Sequence, residues 1–415
     1  MKQLDILLVG IGGYGTKYVA TLLGAGKRPD YNYRVVGAVD RSPERCIHLS
    51  LFEEAEIPIY STIDEFYANH KADFAIISTP IFLHREHIEA CVSNGSHVLC
   101  EKPLCTSIAD VVALRRLSEE SGLNIWIGYQ LSFSPGIKTL KADILSGVFG
   151  KPISFRTFVS YPRGSKYYKR NQWAGKLAAA DGRLTLDSPL HNAVAHHLNN
   201  MLFLLGDSPD RAANLKTVQA ETYRANPNIE SFDTVALRSK TESGVDVYFY
   251  TSHAFKIGEN IGPYNIFRFE NAVIFHDDNA IHEQFFAVMN DGRVRRYDPF
   301  NGEFESMDIQ MNKTWHCMDA IRGGAPVLST VEAAIPEVLT VNAVHLCRGI
   351  KQIEDKYIER YGDPDNLATR VEGLEDGLLR CFDECKLLSE LDLPWAEPAL
   401  EVEVAKVFDE GFSPF

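Results

Sequence analysis

The chain has 415 residues, a formal net charge of −14 and a hydrophobic fraction of 45%. That length suits two domains, or two with an extension, and the composition is that of a globular protein rather than a disordered or fibrous one. The negative balance argues against nucleic acid or an anionic membrane surface as partner, and no apolar run reaches membrane-spanning length.

Met1-Lys2-Gln3-Leu4-Asp5 runs directly into a strand, without the layout of a signal peptide. Asp5-Ile6-Leu7-Leu8-Val9 is continuously apolar, as in a parallel sheet covered on both faces. Gly10-Ile11-Gly12-Gly13-Tyr14-Gly15 follows at once, and a helical pattern runs on to Leu23. A G-x-G-x-x-G between a strand and a helix lets the backbone approach a diphosphate, and the helix N-terminus supplies unpaired N–H groups. The second strand, Arg34 to Val39, ends in Asp40-Arg41. An acid at that tip accepts hydrogen bonds from ribose hydroxyls and repels a 2′-phosphate, which favours NAD over NADP. Arg41 is able to pair with such a phosphate, so NADP stays an alternative; a helix cap is the structural alternative for Asp40.

Further strands are predicted at Ile57–Tyr60, Phe74–Ser78 and His97–Cys100, and a sixth at 124–128, with helices between them. This alternation is that of a doubly wound Rossmann domain, assigned to residues 1–128. The fifth strand runs into Glu101-Lys102-Pro103. A strand cannot continue through Pro103, so the backbone breaks where a carboxylate and an ammonium appear. The carboxyl ends of parallel strands are where ligands sit, although a surface ion pair would read the same way.

From Ser132 the pattern changes. A helix from Ser134 to Leu145 precedes strands at 153–161, 211–223, 232–239, 245–252, 265–270 and Val273–Asp277, without helices between most of them. That predicts a large, mostly antiparallel sheet with one face packed and one available. Helices return at 314–322 and 330–350. The α+β domain is assigned to 129–355, and an acidic extension to 356–415, packed on the second domain. The eight cysteines are scattered with no C-x-x-C. They read as reduced core thiols of a cytoplasmic protein, not as disulfides or a metal site.

Gly10-x-Gly12-x-x-Gly15, Asp40, Thr79-Pro80 with His84, and Gly95 through Glu101-Lys102-Pro103 together resemble the glucose–fructose oxidoreductase / inositol dehydrogenase family (Gfo/Idh/MocA). The resemblance is close over the nucleotide-binding half and looser up to about residue 350. It implies a nicotinamide dinucleotide on Gly10–Gly15, with Thr79, Pro80, His84, Glu101 and Lys102 near the ribose and nicotinamide. It also implies that Lys102 moves a proton at a sugar or polyol hydroxyl, helped in many relatives by an Asp-x-x-x-His motif of the second domain. A base is needed there because hydride leaves a carbinol carbon only as the O–H proton is removed.

That motif departs from the family pattern. Asp187-x-x-x-His191 fits it literally, and Asn192-x-x-x-His196 fits with Asn for Asp. Val194, Leu198, Met201 and Leu205 form an apolar stripe, with Asn192, His196 and Asn199 opposite and His191 toward the stripe. The helix therefore favours Asn192/His196 as the site pair, with Asp187 entering from the loop. An Asn cannot stabilise imidazolium as a carboxylate does. Tyr167 to Lys176, with Trp173, suits a loop over a polyol ring or a charged surface loop. Three functions follow as expectations. The first is an NAD(P)-dependent oxidoreductase on a sugar or polyol, with a homodimer or homotetramer implied by the resemblance. The others are a glycosidase that uses NAD transiently and a non-catalytic dinucleotide-binding regulator.

Overall fold

The computed structural model describes residues 2–256, 258, 260–276, 284–298 and 309–410. They form two compact units, one of Met1–Cys105, Ala109–Phe133 and Phe304–Ala334, the other of Thr106–Ile108, Ser134–Glu303 and Ile335–Phe415.

In the first unit β1 (Leu4–Val9), β2 (Tyr33–Val39), β3 (Ile59–Tyr60), β4 (Phe74–Ile77), β5 (His97–Cys100) and β6 (Ile125–Ile127) make a parallel sheet in the order β3-β2-β1-β4-β5-β6. The crossovers carry α1 (Gly15–Leu22), α2 (Ser50–Glu54), α3 (Ile63–Asn69), α4 (His84–Ser93) and α5 (Ile108–Glu120). Residues of β1, β4 and β5 are almost all buried, which is why these strands read as unbroken apolar runs. The strand order reverses between β1 and β4, and at such a switch point the carboxyl ends of the strands open a crevice for ligand.

The second unit holds α6 (Pro135–Leu145), β7 (Pro152–Ser160), α7 (Ser165–Tyr168), α8 (Ala195–Leu205), β8 (Leu215–Arg224), β9 (Thr234–Thr241), β10 (Asp246–Ser252), β11 (Ile261–Phe269), β12 (Ala272–His276), β13 (Phe285–Met289) and β14 (Val294–Tyr297). They join one sheet in the order β14-β13-β12-β11-β7-β10-β9-β8. The pairing is antiparallel except between β7 and β10. The six strands expected here are present within a few residues at their ends, and Asp277, the last residue of one of them, lies outside the described residues. β13 and β14 were not anticipated.

Beyond these, α9 (Asn312–Ile321) returns to the first unit, although sequence reading groups it with the second domain. Trp315 packs its ring 4.9 Å from Tyr31 and 5.8 Å from Tyr33, and Cys317 and Met318 join the core beneath β1 and β2. Arg322 donates to the backbone carbonyls of Lys2, Tyr31 and Asn32. Periodicity finds such a helix but not which core takes its apolar face.

After α10 (Val331–Leu346) come β15 (Lys351–Gln352), the hairpin β16 (Ile358–Tyr361) and β17 (Ala368–Val371), α11 (Leu374–Glu384) and β18 (Glu401–Glu403). β15 and β18 both pair with β8. One face of the large sheet was expected to be free; the extension covers it over β7 to β11. Leu374, Leu378, Cys381 and Phe382 of α11, with Leu388 and Trp395, bury Phe158, Tyr223, Ala236 and Tyr250 of the strands. Polar ties fix the cover: Arg156 donates to the carbonyls of Phe382 and Asp383, Tyr250 to that of Lys386, and Arg238 pairs with Glu390 at 2.9 Å.

Helix α8 carries part of the candidate site, and its end is held by a buried lysine. The Lys141 ammonium on α6 donates to the carbonyls of Phe203, Gly206 and Arg211, the last two at 2.8 and 3.2 Å. The Gly206 N–H already reaches the Phe203 carbonyl, and the lysine adds a second donor there and ties the helix end to the loop at Arg211. Lys141→Met, close in shape but without donors, should lower stability by about 2–4 kcal/mol, because it strands buried carbonyls. Calorimetric unfolding at neutral pH measures this, and a loss below 0.5 kcal/mol, roughly the size of an ordinary surface substitution, would contradict it.

Candidate active site

The first unit builds a cradle. Gly10 sits at φ +83°, where a side chain would begin 3.0 Å from Ser78 and Thr79 at the end of β4. At Gly15 an added Cβ would lie 2.3 Å from the Gly10 carbonyl, so the turn closes only with glycine at this position. Over Gly13, at φ +54°, nothing described lies within 4 Å of where a side chain would start. The loop is thus packed tightly below and open above, as a diphosphate requires. Asp40 at the tip of β2 faces it: one oxygen accepts the N–H groups of Ile11 at 2.8 Å and Gly12 at 3.2 Å, the other the Ser42 N–H at 2.8 Å. Arg41 beside it is exposed, and Tyr14 lies partly exposed at the mouth of the loop.

Thr79 and Pro80 follow β4, with the Thr79 hydroxyl 3.0 Å from His87 Nδ1. His84, expected among the cofactor contacts, is instead an internal strut. Its ring is 1% exposed, with Nδ1 2.8 Å from the Pro103 carbonyl and Nε2 3.0 Å from the Thr79 carbonyl. Burial pushes its pKa down despite those two carbonyls. With both ring nitrogens against backbone carbonyls, His84 joins the turn after β5 to the turn after β4.

Glu101 is buried at the end of β5. Its Oε1 accepts the Tyr18 hydroxyl at 2.6 Å and pairs with the Lys313 ammonium, while Oε2 accepts the Lys102 N–H at 3.3 Å. Burial alone would raise this carboxyl. The Lys313 charge and hydrogen bond, the Tyr18 hydroxyl and the Lys102 charge outweigh it and hold the group below its usual range. Lys313, itself fully buried, comes from α9, with Tyr14 and Tyr18 rings 5.0 and 5.5 Å away. Sequence reading missed both Tyr18 and Lys313. The signal present was a lysine beside Thr314 and Trp315 in a helix whose neighbours are core residues. Lys102 follows on a peptide that is cis to Pro103.

The second unit gathers the other expected residues. Asp187 is 3% exposed; its Oδ2 accepts the Gly175 N–H at 2.6 Å and its Oδ1 the Asn192 side-chain amide at 2.7 Å. Burial raises its carboxyl, against the pull of Arg170 at 3.8 Å and those two donors. Asn192 is not on the helix proper. Pro189–Ala193 forms one wide π turn, capped by the Ser188 side chain on the His191 N–H, and α8 begins only at Ala195. Such turns recur where a side chain must be re-aimed.

His196 is half-buried on α8. His191 is fully buried, its Nδ1 3.1 Å from the equally buried Glu337, and so belongs to the interior. The polar side expected for α8 is not a solvated face: Asn199 is 1% exposed, because β7 and α6 both pack on the helix. His197 meets the Tyr161 hydroxyl at 3.0 Å, and burial pushes it down to about 3. Trp173 is half-buried with its ring 5.6 Å from the Arg170 guanidinium, and its backbone N–H donates to Asn171 Oδ1 at 3.1 Å. The structure thus brings Asp187 and Asn192 together and sends His191 elsewhere.

A glycine-lined turn at a Rossmann switch point, an acid at the second strand tip and a separate α+β unit define the class as a dinucleotide-binding oxidoreductase fold. Comparison with known proteins narrows this. Residues 4–129 match the family model described as "Oxidoreductase family, NAD-binding Rossmann fold", and residues 137–272 match the GFO/IDH/MocA C-terminal domain. The chain belongs to the GFO/IDH/MocA oxidoreductase family, and its first unit is an NAD-binding domain. It is 29% identical over 213 residues to the 2,7-anhydro-N-acetylneuraminate hydratase of Mediterraneibacter gnavus, covering 51% of each chain. It is 31% identical over 148 residues to the myo-inositol dehydrogenase Hyg17 of Streptomyces leeuwenhoekii, covering 36% of this chain and 43% of that one. The matches thus span about half the length of these curated relatives or less. The WlbA dehydrogenase of Bordetella pertussis, solved with NADH and UDP-GlcNAcA, shares the fold at 18% identity and TM-score 0.66, over 83% of this chain and 96% of that one.

The Asp40 geometry yields a test. Wild-type protein should bind NAD more tightly than NADP. Asp40→Ala should weaken NAD by about tenfold or more, the worth of a charged hydrogen bond, and narrow the gap to NADP. Calorimetric titration giving a wild-type preference for NADP would assign the role to Arg41.

Proposed function

We propose that the protein is an NAD(P)-dependent oxidoreductase acting on a hydroxyl-bearing carbon of a sugar or polyol. The observation that carries this is the Glu101–Lys102 turn at the end of β5, held by Tyr18 and Lys313 in the same unit as the dinucleotide cradle. Gly10, Ile11, Gly12, Gly13, Tyr14 and Gly15 would hold the diphosphate, and Asp40 the adenosine ribose. When bound, the nicotinamide ring supplies the site that accepts or gives up hydride. Lys102 takes the hydroxyl proton as the carbonyl forms, or returns it in the reverse direction. Because Glu101 is already paired with Lys313, its charge is not left to Lys102 alone. His196 is the partner base and Asn192 the orienting group, with Asp187 fixing the Asn192 amide and Trp173 offering an apolar face to the ring.

The hydratase named among the relatives favours a second reading, in which hydride leaves the sugar, a bond at the neighbouring carbon is broken, and the hydride returns. Lys102 would move the first proton in that case too, and no net reduced cofactor would appear. A homodimer or homotetramer, whichever reaction holds, would use surfaces other than the sheet face that α11 covers.

A substrate panel separates the two. Protein is incubated with NAD or NADP and a set of sugars, polyols, anhydro sugars and aryl glycosides, following both cofactor absorbance and bond cleavage. Accumulating reduced cofactor identifies the dehydrogenase; cleavage without net reduction identifies the transient oxidation. On whichever substrate responds, Lys102→Ala should lower turnover by roughly two to four orders of magnitude, the range of general acid–base catalysis, and leave NAD affinity within about threefold. Near-normal turnover at saturating cofactor would remove Lys102 from the role.

A further inference from the structure

Between Asp143 and Asp181 the chain has no acidic residue, although it carries 56 in all. Among the described residues, the cations of that stretch do not all meet an acid at close range. Arg156 is spent on the carbonyls of Phe382 and Asp383, and Lys176 pairs with Glu230 at 2.8 Å. Arg163 and Arg170 instead converge on one tyrosine. The Arg170 guanidinium lies 3.6 Å from the Tyr167 ring centre and that of Arg163 5.1 Å.

Only Arg170 meets an acid there, and at the long distance of 3.8 Å; Arg163 meets none among the described residues. Arg170 donates to the Tyr167 carbonyl at 2.8 Å and comes no closer than 3.8 Å to Asp187. Arg163 reaches the Pro162 carbonyl at 3.3 Å, and its buried Nε has no hydrogen-bond partner among the described residues. Asp187 is a poor counter-ion, since its oxygens are taken by Gly175 and Asn192 and burial disfavours its charge. His253 registers the same field: burial pushes its pKa well down, and the two guanidinium groups push it further. Two like charges gathered on one ring, with only the distant and already occupied Asp187 beside them, are mutually repulsive, and an anion between them lowers the cost.

We propose that the second unit binds a sugar carrying an anionic group, a carboxylate or a phosphate, held by Arg163 and Arg170. The network continues from Arg170 through Asp187 to Asn192, so the anion fixes the sugar beside the residues that would orient its hydroxyl. Guanidinium forks match the paired oxygens of either anion. The Trp173 ring lies beside the Arg170 fork, within reach of the sugar's apolar face. This rests on the reading of the protein as an oxidoreductase acting on sugars, and narrows its substrate to acidic ones.

The test titrates the NAD-loaded protein calorimetrically with D-glucuronate, D-glucose 6-phosphate and D-glucose. The acidic probes should bind at least about tenfold more tightly than glucose, as expected for charge-assisted hydrogen bonds. Glucuronate above glucose 6-phosphate selects the carboxylate, and the reverse order the phosphate. Arg163→Gln with Arg170→Gln should abolish the preference. Lys166→Gln with Lys169→Gln, which removes the same charge from exposed neighbours, should leave it intact, with melting temperatures reporting folding in both. Equal affinity for glucose and the acids, a preference that survives loss of both arginines, or binding of none of the three probes would overturn the proposal. Cofactor absorbance in the same solutions keeps the two readings apart. Selective binding without reduction leaves the anion site standing and counts against the dehydrogenase; reduction of neutral sugars alone does the opposite.

Discussion

A carboxylate removed from water has to be paired, and the carboxylate in question is Glu101. It follows Val98, Leu99 and Cys100, all excluded from solvent, and the peptide after it carries Lys102. Burial by itself would protonate it. The Lys313 ammonium and the Tyr18 hydroxyl prevent that, and Gly128 makes it sterically possible, since a side chain there would begin 3.1 Å from the carboxylate. Much of the first unit's architecture answers to this single group. The chain leaves for the large sheet and then brings α9 back, with Trp315 and Met318 buried as its anchor and Lys313 as its reach. The backbone at Lys102 is fixed in turn by the Glu101 oxygen that accepts its N–H.

What could be read from the residues follows the range of each interaction. The parallel sheet was legible because its cause is local: an apolar strand, a glycine turn and a helix recur along the chain. Asp40 was legible for the same reason, lying at the tip of its own strand. Lys313 was not, because its meaning depends on a carboxylate more than two hundred positions earlier. The Asn192 question was half legible. Helical spacing sorted His191 to the interior, as its contact with Glu337 bears out. No periodicity could show that the stretch opens with a wide π turn, or that Asn199 is enclosed by β7 and α6. The extension shows the same limit. Its helices were expected in outline, whereas the face they cover depends on which side of the sheet Phe158 and Tyr250 present.

The two units hold different kinds of group. The first supplies rigid backbone groups, a glycine turn and a buried ion pair, all of which can be fixed before any ligand arrives. The second supplies side chains on a π turn and an arginine–tyrosine loop, whose charges are less fully satisfied. In the motif where relatives place an acid beside a histidine, this chain keeps an acid, Asp187, and uses it to hold Asn192. On the proposed function, the group that orients the substrate is then an amide rather than a carboxylate.

The most direct test of the central constraint is a double-mutant cycle on Glu101 and Lys313, read by calorimetric unfolding. Glu101→Gln and Lys313→Met each strand one buried partner and should each cost about 3–5 kcal/mol. The double variant should lose clearly less than the sum, with a coupling of about 1 kcal/mol or more. Additive losses, or a Lys313→Met protein as stable as wild type, would show that Glu101 does not depend on the returning helix.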